Sequence, residues 1–244
     1  MHATEQDRRS ALVFGARNLG RAVIDRLVDE GWAVAGVARS DDTLRGIEDA
    51  GALALRADVT DPESVHQALR DTADAHGHVD LVVNAAAAYG GTRSGPFGGG
   101  PIAEAQADGF DSWAAAPARS AFAFLSGAGR FAVAQGRPAT LIQVTGGSSR
   151  RAMPGRGLWA AGAFGVRAIT QAAALELREQ GIQVALLIVD AGIEPLAGPR
   201  EGQSAESSAD PRQIASAVTF LADQGPRAAT HELQVTPLGE VWVP

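Results

Sequence analysis

Two stretches of this chain carry residue types suited to chemistry. The first is GARNLG at residues 15–20, where Gly15 and Gly20 bracket a tight turn that leads at once into a helical pattern. A helix start offers unpaired backbone N–H groups and a partial positive charge, so Gly15, Arg17, Asn18, Leu19 and Gly20 read as a cradle for a pyrophosphate. Dinucleotide-binding turns ask for glycine at three places. Here Arg17 holds the middle one, and Asn18, which tolerates left-handed backbone, can relieve the turn. About twenty positions further on, such chains read the ribose with an acid for NAD or an arginine for NADP. Arg39 stands nineteen residues after Gly20, with Ser40 beside it. A guanidinium grips a phosphate dianion through two hydrogen bonds and a hydroxyl adds another, so NADP(H) is favoured over NAD(H).

The second stretch is TGGSS at 145–149 followed by LWAAGAFGVR at 158–167. Thr145, Ser148 and Ser149 place hydroxyls just past an apolar run, and Tyr89 is the sole phenol. Hydroxyls orient a substrate well, but a general acid needs an activating neighbour, and the sequence shows none. Trp159 has an indole, which donates a hydrogen bond and does not ionise usefully near neutral pH. All 21 basic residues are arginine and there is no cysteine. Schiff-base chemistry, a lysine-lowered phenol, thiolate nucleophiles and cysteine metal sites are therefore excluded, and no metal site is read.

The elements that must position these residues follow from hydrophobic patterning. Short apolar runs at 11–15, 33–38, 52–58, 79–85, 139–145 and 182–190, and HELQVTP near the end, read as buried strands. Between them, Leu19, Val23, Leu27 and Val28 form a helical stripe ended by Gly31. A second helix follows Asp41, and Asp61-Pro62-Glu63 opens a third with a cap, a first-turn proline and an acid at its positive end. A helix-rich stretch covers 103–135, a long helix stops at Gly181, and a capped helix starts at Asp210. Residues 200–210, polar and small, have the composition of a mobile loop. Strand–helix alternation with so little slack predicts an α/β Rossmann-type fold: a doubly wound, seven-stranded parallel sheet with helices on both faces. Residues 1–10 read as a flexible N-terminal tail, and 11–244 as a single domain.

These pieces resemble the short-chain dehydrogenases/reductases over nearly the whole chain. The resemblance rests on GARNLG, on Asp58-Val59 after the third strand, on Asn84-Ala85-Ala86 after the fourth, and on the order of the later elements. It implies that Asp58 and Val59 contact adenine, and that Asn84, Ala85 and Ala86 line the nucleotide cleft and steady the central strand. The glycine motif is one residue shorter than the family's usual form. The family's mechanism uses a tyrosine, a lysine four residues on, a serine that orients the substrate and an asparagine that supports a water relay. Carried over position by position, Trp159 takes the tyrosine place and Ala163 the lysine place. Gly146, thirteen residues before Trp159, takes the serine place, and the asparagine place falls at or near Pro117. The standard mechanism is therefore closed to this chain.

Three functions stay open on these grounds. The first is an atypical NADP(H)-dependent oxidoreductase, with Thr145, Ser148 or Tyr89 as stand-in groups. The second is an inactive NADP(H)-binding sensor or partner subunit. The third is a non-redox lyase, isomerase or cyclase that reuses the cleft. The net charge of -7 argues against nucleic acid, and the longest apolar run, VALLIV at 184–189, is far too short to span a membrane. The start lacks the apolar stretch of a signal peptide, so a cytoplasmic location is expected. A small-molecule substrate, which the sequence does not name, is expected, and the family resemblance implies a homo-dimer or homo-tetramer through the fourth and fifth helices.

Overall fold

A computed structural model describes residues 8–87, 96–199, 201 and 204–240. The apolar runs become β1 (Ser10–Phe14), β2 (Ala33–Ala38), β3 (Leu53–Arg56), β4 (Leu81–Asn84), β5 (Ala139–Gly146), β6 (Ile182–Val189) and β7 (Glu232–Val235). They form one parallel sheet in the order β3-β2-β1-β4-β5-β6-β7. Between the strands run α1 (Leu19–Asp29), α2 (Asp41–Asp49), α3 (Pro62–His76), α4 (Ala107–Phe110), α5 (Ala116–Gln135), α6 (Gly157–Leu177) and α7 (Pro211–Ala222). Successive strand residues face opposite ways. Leu12, Phe14, Val82, Leu141 and Val184 meet α3 and α5, whereas Val13, Val83, Ile142 and Leu187 meet α1 and α7. The strand order reverses between β1 and β4, which opens a crevice at the sheet's carboxyl edge.

Strand ends depart from the sequence reading for local reasons. β1 stops at Phe14 because Gly15 turns to φ +84°. Residues 8–10, expected in a flexible tail, belong to the fold. Arg8 donates to the carbonyls of Gly31 and Trp32, Arg9 lies over the Trp32 ring and pairs with Asp223, and Ser10 is the first residue of β1. The described part of the 200–210 stretch is likewise tied down: the Ala209 N–H donates to Gly192 O, and the Ser208 hydroxyl to Ser204 O. No helix among the described residues is long and apolar enough to cross a membrane.

Within the helix-rich stretch expected over 103–135, helix begins at Ala107 and is not continuous α-helix. One π turn, Asp111–Ala115, separates α4 from α5. Pro117 accounts for it, because a proline has no N–H to give the Trp113 carbonyl four residues back, and the ladder slips to a wider turn. Gly162 and Gly165 let α6 approach the start of α5 closely. A Cβ on Gly162 would lie 2.5 Å from Trp113 O, and one on Gly165 3.0 Å from Ala118 Cβ.

At the opposite, amino edge, Ser10 Oγ lies 3.4 Å from His76 Nδ1. The Ser10 N–H donates to Asp80 Oδ2, which also meets His78 Nε2 at 2.9 Å, and Arg137 stands 3.9 Å from the same carboxylate. Burial, then the charges of Arg8 and His78, hold His76 below the usual histidine range. The unfolded chain therefore takes up a proton here more readily than the folded one. Stability is complete above about pH 6.5, the ordinary histidine value, and falls as pH drops below it toward the folded-state value. Urea unfolding at pH 7.5 and 5.5 should show a larger acid loss in the native protein than in His76→Gln. Equal losses would remove His76 as the cause.

Candidate functional site

The glycine turn is dictated by packing. A Cβ on Gly15 would lie 2.4 Å from Ala86 N, and one on Gly20 2.6 Å from Gly15 O. Only glycine lets β1 leave the sheet this close to the end of β4. Arg17 is exposed, and its N–H bonds Gly15 O at 2.9 Å. Leu19 is buried against the core. Asn18 precedes α1 but does not cap it with its side chain. Its amide instead clamps the segment after β6: Nδ2 donates to Glu194 O at 2.9 Å, and Oδ1 accepts from the Leu196 N–H at 3.0 Å.

The ribose end lies beyond β2. The Arg39 side chain is 79% exposed and stands 3.7 Å from Asp58 Oδ2. Ser40 Oγ is 2.9 Å from Thr43 Oγ1. Asp58 Oδ1 accepts from both the N–H and the hydroxyl of Thr60. Burial opposes ionisation of Asp58, but these two bonds and the nearby Arg39 charge outweigh it and hold the carboxyl below its ordinary value. Val59 is buried. Asn84 is 1% exposed; its Nδ2 donates to Gln143 Oε1 at 2.9 Å, and its Oδ1 accepts from the Ala86 N–H at 3.1 Å. It thus joins β4 to β5, while the Ala85 N–H bonds Phe14 O. The predicted nucleotide residues therefore gather at one sheet edge, except that the Asn18 amide is engaged elsewhere.

The chemical end is also brought together. A Cβ on Gly146 would come 3.9 Å from Trp159 Cζ2, so these two positions are neighbours. Trp159 packs on Trp113 with ring centroids 5.6 Å apart and on Phe97 at 5.3 Å, and Phe97 meets Trp113 at 5.0 Å. Gly98, Gly99 and Gly100 all have positive φ, which lets this segment lie against Arg156 and Leu158. Ala163 is buried at 5% exposure. Thr145 and Ser148 are half-buried, and Ser149 gives its hydroxyl to Gly146 O at 2.9 Å. Tyr89 lies outside the described residues. Among the described residues no group of three His, Asp or Glu side chains could hold a metal ion.

One group at this edge escaped the sequence reading. Asp190, at the end of β6, is 6% exposed. It receives two bonds from Arg151, at 2.7 and 3.2 Å, and one from Gln234 at 3.2 Å. Its two oxygens thus serve as acceptors for Arg151 and Gln234. Its signal was an acid closing the apolar run IQVALLIVD.

The parallel sheet and its strand order define a Rossmann-type fold, and the comparisons narrow the class. The family model described as enoyl-(acyl carrier protein) reductase matches residues 14–235. The short-chain dehydrogenase/reductase eriH of Hericium erinaceus is 29% identical over 90% of this chain and 92% of its own length. The sorbitol dehydrogenase of Cereibacter sphaeroides is 30% identical over 73% of this chain and 68% of its own. The alcohol dehydrogenase of the archaeon Thermococcus sibiricus, solved with 5-hydroxy-NADP, shares the fold at a TM-score of 0.73 and 23% identity, covering 97% of this chain and 100% of its own. The chain belongs to the short-chain dehydrogenase/reductase family, a family of oxidoreductases.

Proposed function

We propose that this chain binds NADP(H) at the β1–β4 crevice. There it acts as an oxidoreductase on a substrate that needs no proton from a protein phenol. The observation that carries the cofactor reading is the edge beyond β2. Asp41 pairs with Arg56 and Asp42 with Arg45, while Arg39 projects beside Ser40. A ribose 2′-hydroxyl would need an acceptor there, and both acids of the α2 first turn are occupied. A 2′-phosphate would meet a guanidinium. The relative solved with 5-hydroxy-NADP supports the same choice.

The bound nicotinamide supplies or accepts a hydride. The chain's own contribution is to orient and to exclude water. Asn84 stiffens β4, Asp58 and Val59 bound the adenine side, and Thr145 and Ser148 stand where a substrate oxygen can be oriented. Pro117, Gly146, Trp159 and Ala163 offer no ionisable group, so a proton must come from water or the substrate itself. Losing a positioned general acid typically costs roughly 10²–10⁴-fold, whereas holding two reactants together can contribute more.

A second reading, NADP(H) binding without turnover, is favoured by the mutual packing of Trp159, Trp113 and Phe97. One experiment separates the readings. NADPH and NADH are titrated against intrinsic tryptophan fluorescence, and hydride transfer is then followed across a carbonyl and alcohol panel. NADPH should bind at least tenfold more tightly than NADH, and Arg39→Met should erase that preference. Binding without transfer selects the second reading, and NADH binding as tightly as NADPH ends the cofactor assignment.

A further inference from the structure

α2 opens one residue past Ser40 with Asp41 and Asp42 in its first turn. At this place in a nucleotide-binding sheet, an available carboxylate accepts from the ribose diol and repels a phosphate. Asp42 is paired with Arg45, three residues on in its own helix. Asp41 is paired from another strand. Arg56 closes β3 in register with Ala38, the last residue of β2. One of its guanidinium nitrogens bonds the Asp41 carboxylate, and the other donates to the Arg39 carbonyl. A single side chain thus neutralises the acid that would oppose a phosphate and fixes the backbone from which Arg39 projects.

We infer that Arg56 is a positioning residue for cofactor selectivity: by masking Asp41 and anchoring Arg39, it makes the edge beyond β2 favour a nucleotide with a 2′-phosphate. The inference rests on the NADP(H) reading and adds a determinant that need not touch the cofactor. Arg56 and Asp41 are exposed, with side-chain values of 55% and 77%, so their ion pair contributes little to folding. Removing it should leave the protein folded and change selectivity alone.

The test is a double-mutant cycle in the full chain, with NADPH and NADH affinities read by tryptophan fluorescence and folding by thermal unfolding. Arg56→Gln should raise the NADPH Kd roughly tenfold while NADH binds unchanged or more tightly, because Asp41 becomes available to the ribose diol. Adding Asp41→Asn should recover at least half of that loss on a logarithmic scale and more than it gains in the native background, a non-additivity that marks direct coupling. Asp41→Asn alone should leave NADPH as tight or tighter. Equal weakening of both cofactors by Arg56→Gln, no change, or a loss that Asp41→Asn fails to recover would each overturn the inference. The cofactor reading is judged separately, on the native protein: NADPH preference with an additive cycle sinks only the role of Arg56, whereas NADH preference sinks the reading beneath it.

Discussion

Alanine at Gly147 is expected to destabilise the protein by about 3–5 kcal/mol, the cost of disrupting a buried ion pair rather than of adding a methyl group. The new Cβ would lie 1.8 Å from Asp190 Oδ1 and 2.3 Å from its Cγ. A short side chain could swing aside if it were loosely held. Asp190 is not: Arg151 grips both of its oxygens, Gln234 donates to one, and the side-chain exposures of Arg151 and Asp190 are only 23% and 9%. Moving the carboxylate leaves a largely buried guanidinium without its partner. Urea unfolding of Gly147→Ala against the native protein gives the number. The same change in an Asp190→Ala background should cost markedly less, because the carboxylate is gone and only the Cβ at 3.0 Å remains, and coupled sites do not add. A loss under 1 kcal/mol in the native background would show that the turn yields freely. The consequence reaches the site, since the Asp190–Arg151 pair backs the turn that carries Thr145, Gly146 and Ser148.

What could be read from the sequence here was what hydrophobic periodicity and local caps determine. Each of the seven strands sits on its apolar run. Asp61 and Asp210 cap α3 and α7 by accepting the N–H groups of Glu63 and Arg212, as a carboxylate before a proline promises. Spacing along β5 and α6 also sets Gly146 beside Trp159. Side-chain partners chosen by topology could not be read. Asn18 meets Glu194 and Leu196 from more than 170 residues away, and Arg151 meets Asp190 only once β5 and β6 lie side by side. Arg56 meets Asp41 because β2 and β3 end in register, and no pattern in the sequence marks that pairing. The π turn is an intermediate case. Pro117 was visible, but apolar periodicity runs through it, and only the missing N–H decides that the helix widens there.

Rebuilding the family's catalytic set should create NADPH-dependent carbonyl reduction, with a gain of roughly 10²–10⁴-fold over the native chain, the usual contribution of a positioned proton donor. The variant is Gly146→Ser with Trp159→Tyr and Ala163→Lys. Serine fits at 146, since its Cβ would find only ordinary contacts at 3.9 Å, with Trp159 and Val189 O. Tyrosine at 159 is smaller than the indole it replaces and gives up packing against Trp113 and Phe97, so a loss of stability accompanies the gain of chemistry. Lysine at 163 replaces a methyl group at 5% exposure and must carry its charge toward the crevice to lower the phenol pKa from its free value of about 10. That requirement is the demanding one, and Ala163→Met in the same background isolates it: the phenol remains and its lowered pKa does not. NADPH oxidation against a carbonyl panel, with cofactor affinity measured alongside, reads the outcome. If the variant folds and binds NADPH yet shows no gain, the backbone is at fault, and the π turn before Pro117 is where to look. Pro117→Asn would then restore both the missing N–H and the fourth family group. A chain that stays inert with all four in place has lost more than side chains.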